Sequence, residues 1–207
     1  PGTVWNYSTA SSNLIADALT DRLAPGADAA ARRAAMAGFM RDKLFAPIGM
    51  RSAQPEFAPD GTFLAGSLIY ATARDFARFG LLYARDGVWN GTRVVPAGWV
   101  DFARTPGPAS NSDIYGAGWW VQPAEGPGRP RASLYGGEPR DGFSAQGHDG
   151  QVILVVPSRD LVVVRLGQMY GPAAPAWAAI GTLTQEIALS LPPVPAETPA
   201  PPATPQR

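Results

Sequence analysis

The chain of 207 residues has no cysteine, one histidine, His148, and one lysine, Lys43. Without cysteine there can be no disulfide, no thiol catalysis and no thiolate metal site, and the redox compartment stays open. One histidine with no thiol supplies too few nitrogen or sulfur ligands for a zinc site, which would then rest on carboxylates alone. No metal and no other cofactor is expected. An excess of charge is also missing: 17 basic and 17 acidic residues balance. Nucleic acids and anionic membranes both demand a basic surface, so neither is expected as a partner, and Arg32-Arg33 is too small a cluster to change that. Long hydrophobic runs are absent as well. The apolar stretches from Val152 to Val156 and from Leu161 to Leu166 are strand-length, far below the ~18 residues that span a bilayer, and no signal-peptide pattern is present. The acidic residues are scattered, with no spacing that suggests a glycosidase pair.

What is present reads first as helices and then as strands. Ser8 or Thr9 can cap a helix whose apolar face is Leu14, Ile15, Ala18, Leu19 and Leu23. A second helix is expected over Ala29 to Leu44, with Met36, Phe39, Met40 and Leu44 on one face and a stop before Pro47. A third begins at Thr72, where Thr72-x-x-Asp75 is a capping-box variant, and ends near Gly87. Asn90-Gly91 predicts a hairpin, because both residues tolerate positive φ, and Pro96 suits the first turn of a short helix through Trp99 and Phe102.

From Gly116 onward the pattern is stranded: Gly118 to Gln122, Phe143 to Gly147, Val152 to Val156 and Leu161 to Leu166. The short connections predict antiparallel neighbours. A last helix, Ala173 to Leu191, offers Trp177, Ile180, Leu183, Thr184 and Ile187 for packing. Helices, then an antiparallel sheet, then a closing helix give an α+β fold. Residues 192–207 alternate Pro with Ala, Thr and Glu and read as a disordered, partly polyproline tail to a domain over residues 1–191.

Several segments occur together in a telling order: Tyr7-Ser8-Thr9, the run from Ala71 to Gly80 that contains Thr72-Ala73-Arg74-Asp75, Asp86-Gly87-Val88-Trp89-Asn90-Gly91, Gly98-Trp99-Val100, Trp119-Trp120, and Gly147-His148-Asp149-Gly150-Gln151 followed by Pro157. With these the chain resembles the β-lactamase-related serine hydrolases, closest to the branch of 6-aminohexanoate-dimer hydrolase and its esterase relatives. The resemblance implies a β-lactamase/transpeptidase-like fold, a sheet flanked by helices beside a mostly helical region. It also implies cleavage of a small-molecule amide or ester through an acyl-enzyme. That family's nucleophile lies in Ser-x-x-Lys well upstream of the tyrosine. No such motif is in this chain, where position 40, three before Lys43, is Met40. The expectation is therefore the C-terminal portion of one serine-hydrolase domain, inactive alone. The alternative is a penicillin-binding-like module that holds a ligand without turnover.

By resemblance, Tyr7 serves the base side of the site, working as phenolate or in a shared-proton arrangement with the missing lysine. Trp119 and Trp120 must point to opposite faces of a strand, and the family places the second at the substrate, as a wall of the acyl pocket. Trp5, Trp89, Trp99 and Trp177 read as core or hairpin aromatics. Gly147 lets backbone approach a ligand closely, so a neighbouring N–H can face an oxyanion. An ungapped alignment makes that donor the backbone N–H of His148, with Ala145-Gln146-Gly147 where other branches have Lys-Thr-Gly. A shifted register makes His148 the lysine equivalent and Gln151 the donor. A Ser-His-Asp triad is disfavoured, since Asp149 beside His148 on a strand would point away from the ring, and the residues around Ser144 lack the last glycine of a nucleophile elbow. Substrate identity, oligomeric state and compartment are not fixed by the sequence.

Overall fold

The computed structural model describes residues 3–107, 114–122 and 139–194. The chain starts with α1 (Thr9–Leu23), α2 (Ala29–Met40), a π turn (Arg41–Phe45) and a last helical turn α3 (Ala46–Ile48). Small antiparallel pairs follow, β1 (Gln54–Pro55) with β2 (Ile69–Tyr70) and β3 (Val88–Trp89) with β4 (Thr92–Arg93), on either side of α4 (Ala73–Ala84). After α5 (Trp99–Ala103) come four strands, β5 (Trp120–Val121), β6 (Phe143–Gly147), β7 (Gln151–Val156) and β8 (Leu161–Arg165), and then α6 (Ala173–Ser190). These strands form one antiparallel sheet in chain order. The fold is thus α+β, with a closing helix, as the pattern predicts.

Each face of this sheet has its own helix. Trp119, Val121, Phe143, Ile153 and Val155 pack with Phe76, Phe79 and Tyr83 of α4. Val152, Leu154 and Val156 pack with Ile180 and Ala188 of α6. Strand β7 is covered on both sides, which is why it reads as an unbroken apolar run rather than an alternation. Burying each of its large side chains contributes roughly 1.5–3 kcal/mol. Gly80 lets α4 lie close to the sheet: a Cβ there would meet Val162 Cγ1 at 2.6 Å and Ile153 Cγ2 at 3.1 Å.

Three helical expectations need correction. Helix α1 is turned the other way: Ala16 and Thr20 are buried, whereas Leu14 and Ile15 are 69% and 71% exposed. Its inward side is held by polar contacts. Asn13 Oδ1 accepts from the Gly66 N–H at 3.0 Å, and Asp17 Oδ1 accepts from the Thr62 hydroxyl at 3.0 Å and from Arg32 at 2.5 Å. Ser8 stands at the N-cap but makes no side-chain cap bond. The second helix does not stop before Pro47 but continues to Ile48 through the π turn. The wider turn relieves the clash of a proline ring with the carbonyl four residues back. On α6 the buried residues are Ile180, Gly181, Thr184 and Ala188, and Leu183 is exposed.

Other local readings hold. Asn90 and Gly91 both have positive φ, 47° and 78°. Thr72 caps α4, accepting from the Asp75 N–H at 3.3 Å. Asp75 does not close the box on Thr72 itself. It accepts from the N–H and hydroxyl of Ser52 at 2.7 and 2.5 Å, and the Thr72 N–H donates to Ser52 Oγ at 3.0 Å. Ser52 thus relays the reciprocal half of the cap and ties the 50s loop to α4. The tail expectation falls mostly on residues 195–207, outside the described residues. Within 192–194, the Val194 N–H donates to Ser158 O at 2.9 Å.

Candidate active site

Tyr7 lies just before α1, where the extended backbone of Ser8 enters the helix. It does not stand alone. Its ring is 5.5 Å from that of Trp120, 5.4 Å and edge-on from Tyr115, and 6.4 Å from Trp5. Tyr115 in turn is 4.9 Å from Trp120 and 5.7 Å from Trp5. Tyr7 is 54% exposed even with its ring against these neighbours. A cleft of about 170 Å³ opens here, lined by these aromatics except Trp120 and by Asn6, Ser8, Ser11 and Ser12.

Trp119, just before β5, and Trp120, its first residue, divide as the alternation requires. Trp119 is 3% exposed and stacks with Phe79. Trp120 is half-buried and faces Tyr7 and Tyr115. Tyr115 reaches it because the chain doubles back: Tyr115 bridges Trp120, and the Gly116 N–H donates to Trp119 O at 2.9 Å. Only glycine fits at 116, since a Cβ would lie 2.1 Å from Ala103 O. Burial pushes the Tyr115 phenol up to about 12, with the neighbouring Tyr7 adding to the shift. Tyr115 is therefore a neutral hydroxyl at any ordinary pH.

Trp120 lies opposite Ser144 in the ladder and Val121 opposite Phe143, and β5 ends there. Among the described residues no strand pairs with Ala145, Gln146 and Gly147 on that side. An open strand edge therefore begins one residue past the partner of Trp120. At its end Gly147 pairs with Gln151 across a turn of His148, Asp149 and Gly150. His148 to Gly150 form a turn rather than a strand end, with Asp149 at φ 57° and Gly150 at φ 79°.

The His148 side chain is 96% exposed, with Asp149 Oδ1 3.5 Å from Nε2, too far for a well-formed hydrogen bond. Ser144 is 2% exposed and its hydroxyl accepts from the Gln146 amide at 3.0 Å. Among the described residues no Ser-His-Asp triad is assembled. Gln151 is engaged through its side chain, which donates to Gly167 O and accepts from the Gly167 N–H, both at 2.8 Å.

The structure thus brings Tyr7 and Trp120 together, and sets Gly147, His148 and Gln151 at the far end of the adjoining strand edge. Sequence reasoning missed Trp5, read as a core or hairpin aromatic, and Tyr115. The tight Tyr115-Gly116-Ala117-Gly118-Trp119-Trp120 reversal is the signal that could have found the second.

No curated protein matches the chain in sequence. Among solved structures it is similar to a proposed 6-aminohexanoate-dimer hydrolase from Bacillus anthracis, with TM-score 0.67 and 22% identity over 93% of this chain and 46% of that one. A beta-lactamase from Mycobacterium bovis aligns with TM-score 0.64 and 20% identity, covering 91% of this chain and 66% of that one. A proposed beta-lactamase from Bacteroides dorei follows with TM-score 0.59 and 15% identity over 92% and 59%. The chain thus spans about half to two thirds of the length of these structures. At such identities they speak for the fold. No helix among the described residues is long and apolar enough to cross a membrane. The sequence profile of the Beta-lactamase family matches residues 1–181, and with that match the chain belongs to the beta-lactamase family.

Proposed function

We propose that this chain is the C-terminal portion of a serine hydrolase that cleaves a small amide or ester through an acyl-enzyme, its Ser-x-x-Lys nucleophile lying upstream of residue 1. The observation that carries the reading is the placement of Tyr7 against Trp120, one residue short of an open strand edge. Acyl transfer needs a proton acceptor near the nucleophile, a wall for the acyl group and donors facing the developing oxyanion. Tyr7 takes the first role and Trp120, with Tyr115 and Trp5 behind it, the second. The backbone N–H of His148, next to Gly147, takes the third. Residues 1–191 form the domain portion and residues 192–207 the tail.

One observation favours a second reading, a penicillin-binding-like module that binds without turnover: none of the 207 residues completes Ser-x-x-Lys. Reading the gene upstream and assaying the whole polypeptide separates the two. Ser-x-x-Lys before Tyr7, with a covalent acyl adduct trapped on its serine in mass spectrometry, is the expected result. A complete reading frame without the motif, or one that binds an ester and never acylates, would establish the binder.

A further inference from the structure

We infer that Arg165 is a positioning residue, whose guanidinium holds the turn of His148, Asp149 and Gly150 in the geometry that lets its backbone meet an oxyanion; this rests on the role proposed above for that turn. Arg165 sits on β8 opposite Val152 of β7, so the sheet fixes its backbone. From there Nη1 donates to Asp149 O at 3.1 Å, Gly150 O at 2.9 Å and Gly167 O at 2.7 Å, and Nη2 donates to Gln168 O at 3.0 Å. One planar group thus joins the turn to the segment that follows β8. Gln151 ties the same segment from the other strand through Gly167.

The pairing of Gly147 with Gln151 and the Gln151 N–H donating to His148 O close the turn at its base, and Arg165 adds the tie from its carbonyls to the segment after β8. Asp149 and Gly150 both need positive φ, and the His148 side chain lies in solvent. Gly150 is pressed against the clamp: a Cβ there would meet Ile180 Cδ1 at 2.8 Å and Arg165 Nη1 at 3.1 Å. Among the described residues no carboxylate forms an ion pair with Arg165, so its donors are committed to backbone carbonyls. Lysine cannot replace it, because a single ammonium lacks the planar fork that reaches carbonyls on two segments at once. Oxyanion stabilisation depends on donors fixed before the charge develops, and a small misplacement of such donors is costly.

The test uses Arg165→Lys and Arg165→Ala in the whole polypeptide that carries the nucleophile, with kcat and KM for an activated ester and amide hydrogen exchange at residues 148–151. The expected result is a fall in kcat of about 10- to 100-fold with KM little changed and faster exchange in the turn. Added guanidinium should restore part of the Arg165→Ala rate. Where the alanine variant fails to fold, the lysine variant carries the measurement. Unchanged exchange at the turn would overturn the inference whatever the rate. Faster exchange with an unchanged kcat would overturn it differently, by showing that Arg165 clamps a turn that is not the oxyanion donor.

Discussion

At the scale of single residues, two phenols meet at the cleft. Tyr115 is packed between Trp5, Tyr7 and Trp120 and stays protonated, whereas Tyr7 is exposed and lines the cleft. In the full polypeptide Tyr7→Phe should lower kcat by ~10²- to 10⁴-fold with a much smaller effect on KM, since the remaining ring keeps its contacts while proton transfer is lost. Steady-state kinetics on the two proteins check this, and equal activity would reduce Tyr7 to a packing aromatic. For His148 the exposed imidazole argues that only its backbone matters. His148→Ala should therefore retain most of kcat/KM, with an unaltered rate profile across about pH 5 to 9. A loss on the order of 10²-fold, rescued by His148→Lys, would instead make His148 the lysine equivalent.

At the scale of elements, α4 is anchored by one buried carboxylate. Asp75 is 4% exposed and accepts from Ser52 twice and from Arg78 at 2.5 Å. The hydrogen bond from the Ser52 hydroxyl, joined by the Ser52 N–H and the Arg78 guanidinium, holds its carboxyl below the ordinary range against the opposing effect of burial. A carboxyl depressed in the folded state stabilises fully above its unfolded value of about 3.9, and that contribution is lost as pH falls through the folded value. Asp75→Asn should cost about 1–3 kcal/mol at neutral pH, because it weakens a buried set of charge-assisted bonds. It should also flatten the loss of stability below about pH 4. Urea titrations of both proteins at neutral and acid pH measure the two effects, and parallel acid profiles would move the acid sensitivity elsewhere. The same network explains Thr72-Ala73-Arg74-Asp75: its residues set a helix start and bind it to the preceding loop.

At the scale of the whole molecule, membership of the beta-lactamase family and an alignment over 46% of a longer solved structure carry a direct expectation for the chain by itself. Ser8, Ser11 and Ser12 line the cleft beside Tyr7, but neither they nor any other serine of this chain stands in Ser-x-x-Lys. Ser144, on β6, is buried and bonded to Gln146. The chain of 207 residues should therefore remain unlabelled by a fluorophosphonate probe. Intact-mass measurement after incubation is sufficient, and an adduct on any serine of this chain would overturn the assignment of the nucleophile to upstream sequence.

Much of this was legible in the sequence because it depends on local chemistry. Strand β6, the Asn90-Gly91 hairpin, the cap at Thr72 and the splitting of Trp119 from Trp120 follow from alternation, turn conformations and side-chain reach over a few residues. The missing cysteine excluded thiol catalysis, disulfides and thiolate metal sites with no structure at all. Tertiary structure alone decided what depends on contacts between distant segments. In this chain helix α1 shows Leu14 and Ile15 outward, while Asn13 and Asp17 find partners in the loop around Thr62 and Gly66, contacts that a periodicity counting only apolar residues does not register. Tyr115 joins Tyr7 across more than a hundred residues, and Arg165 reaches the His148 turn from the far strand. Sequence spacing carries no record of such meetings, which are set by the register of the sheet and by what packs against each of its faces.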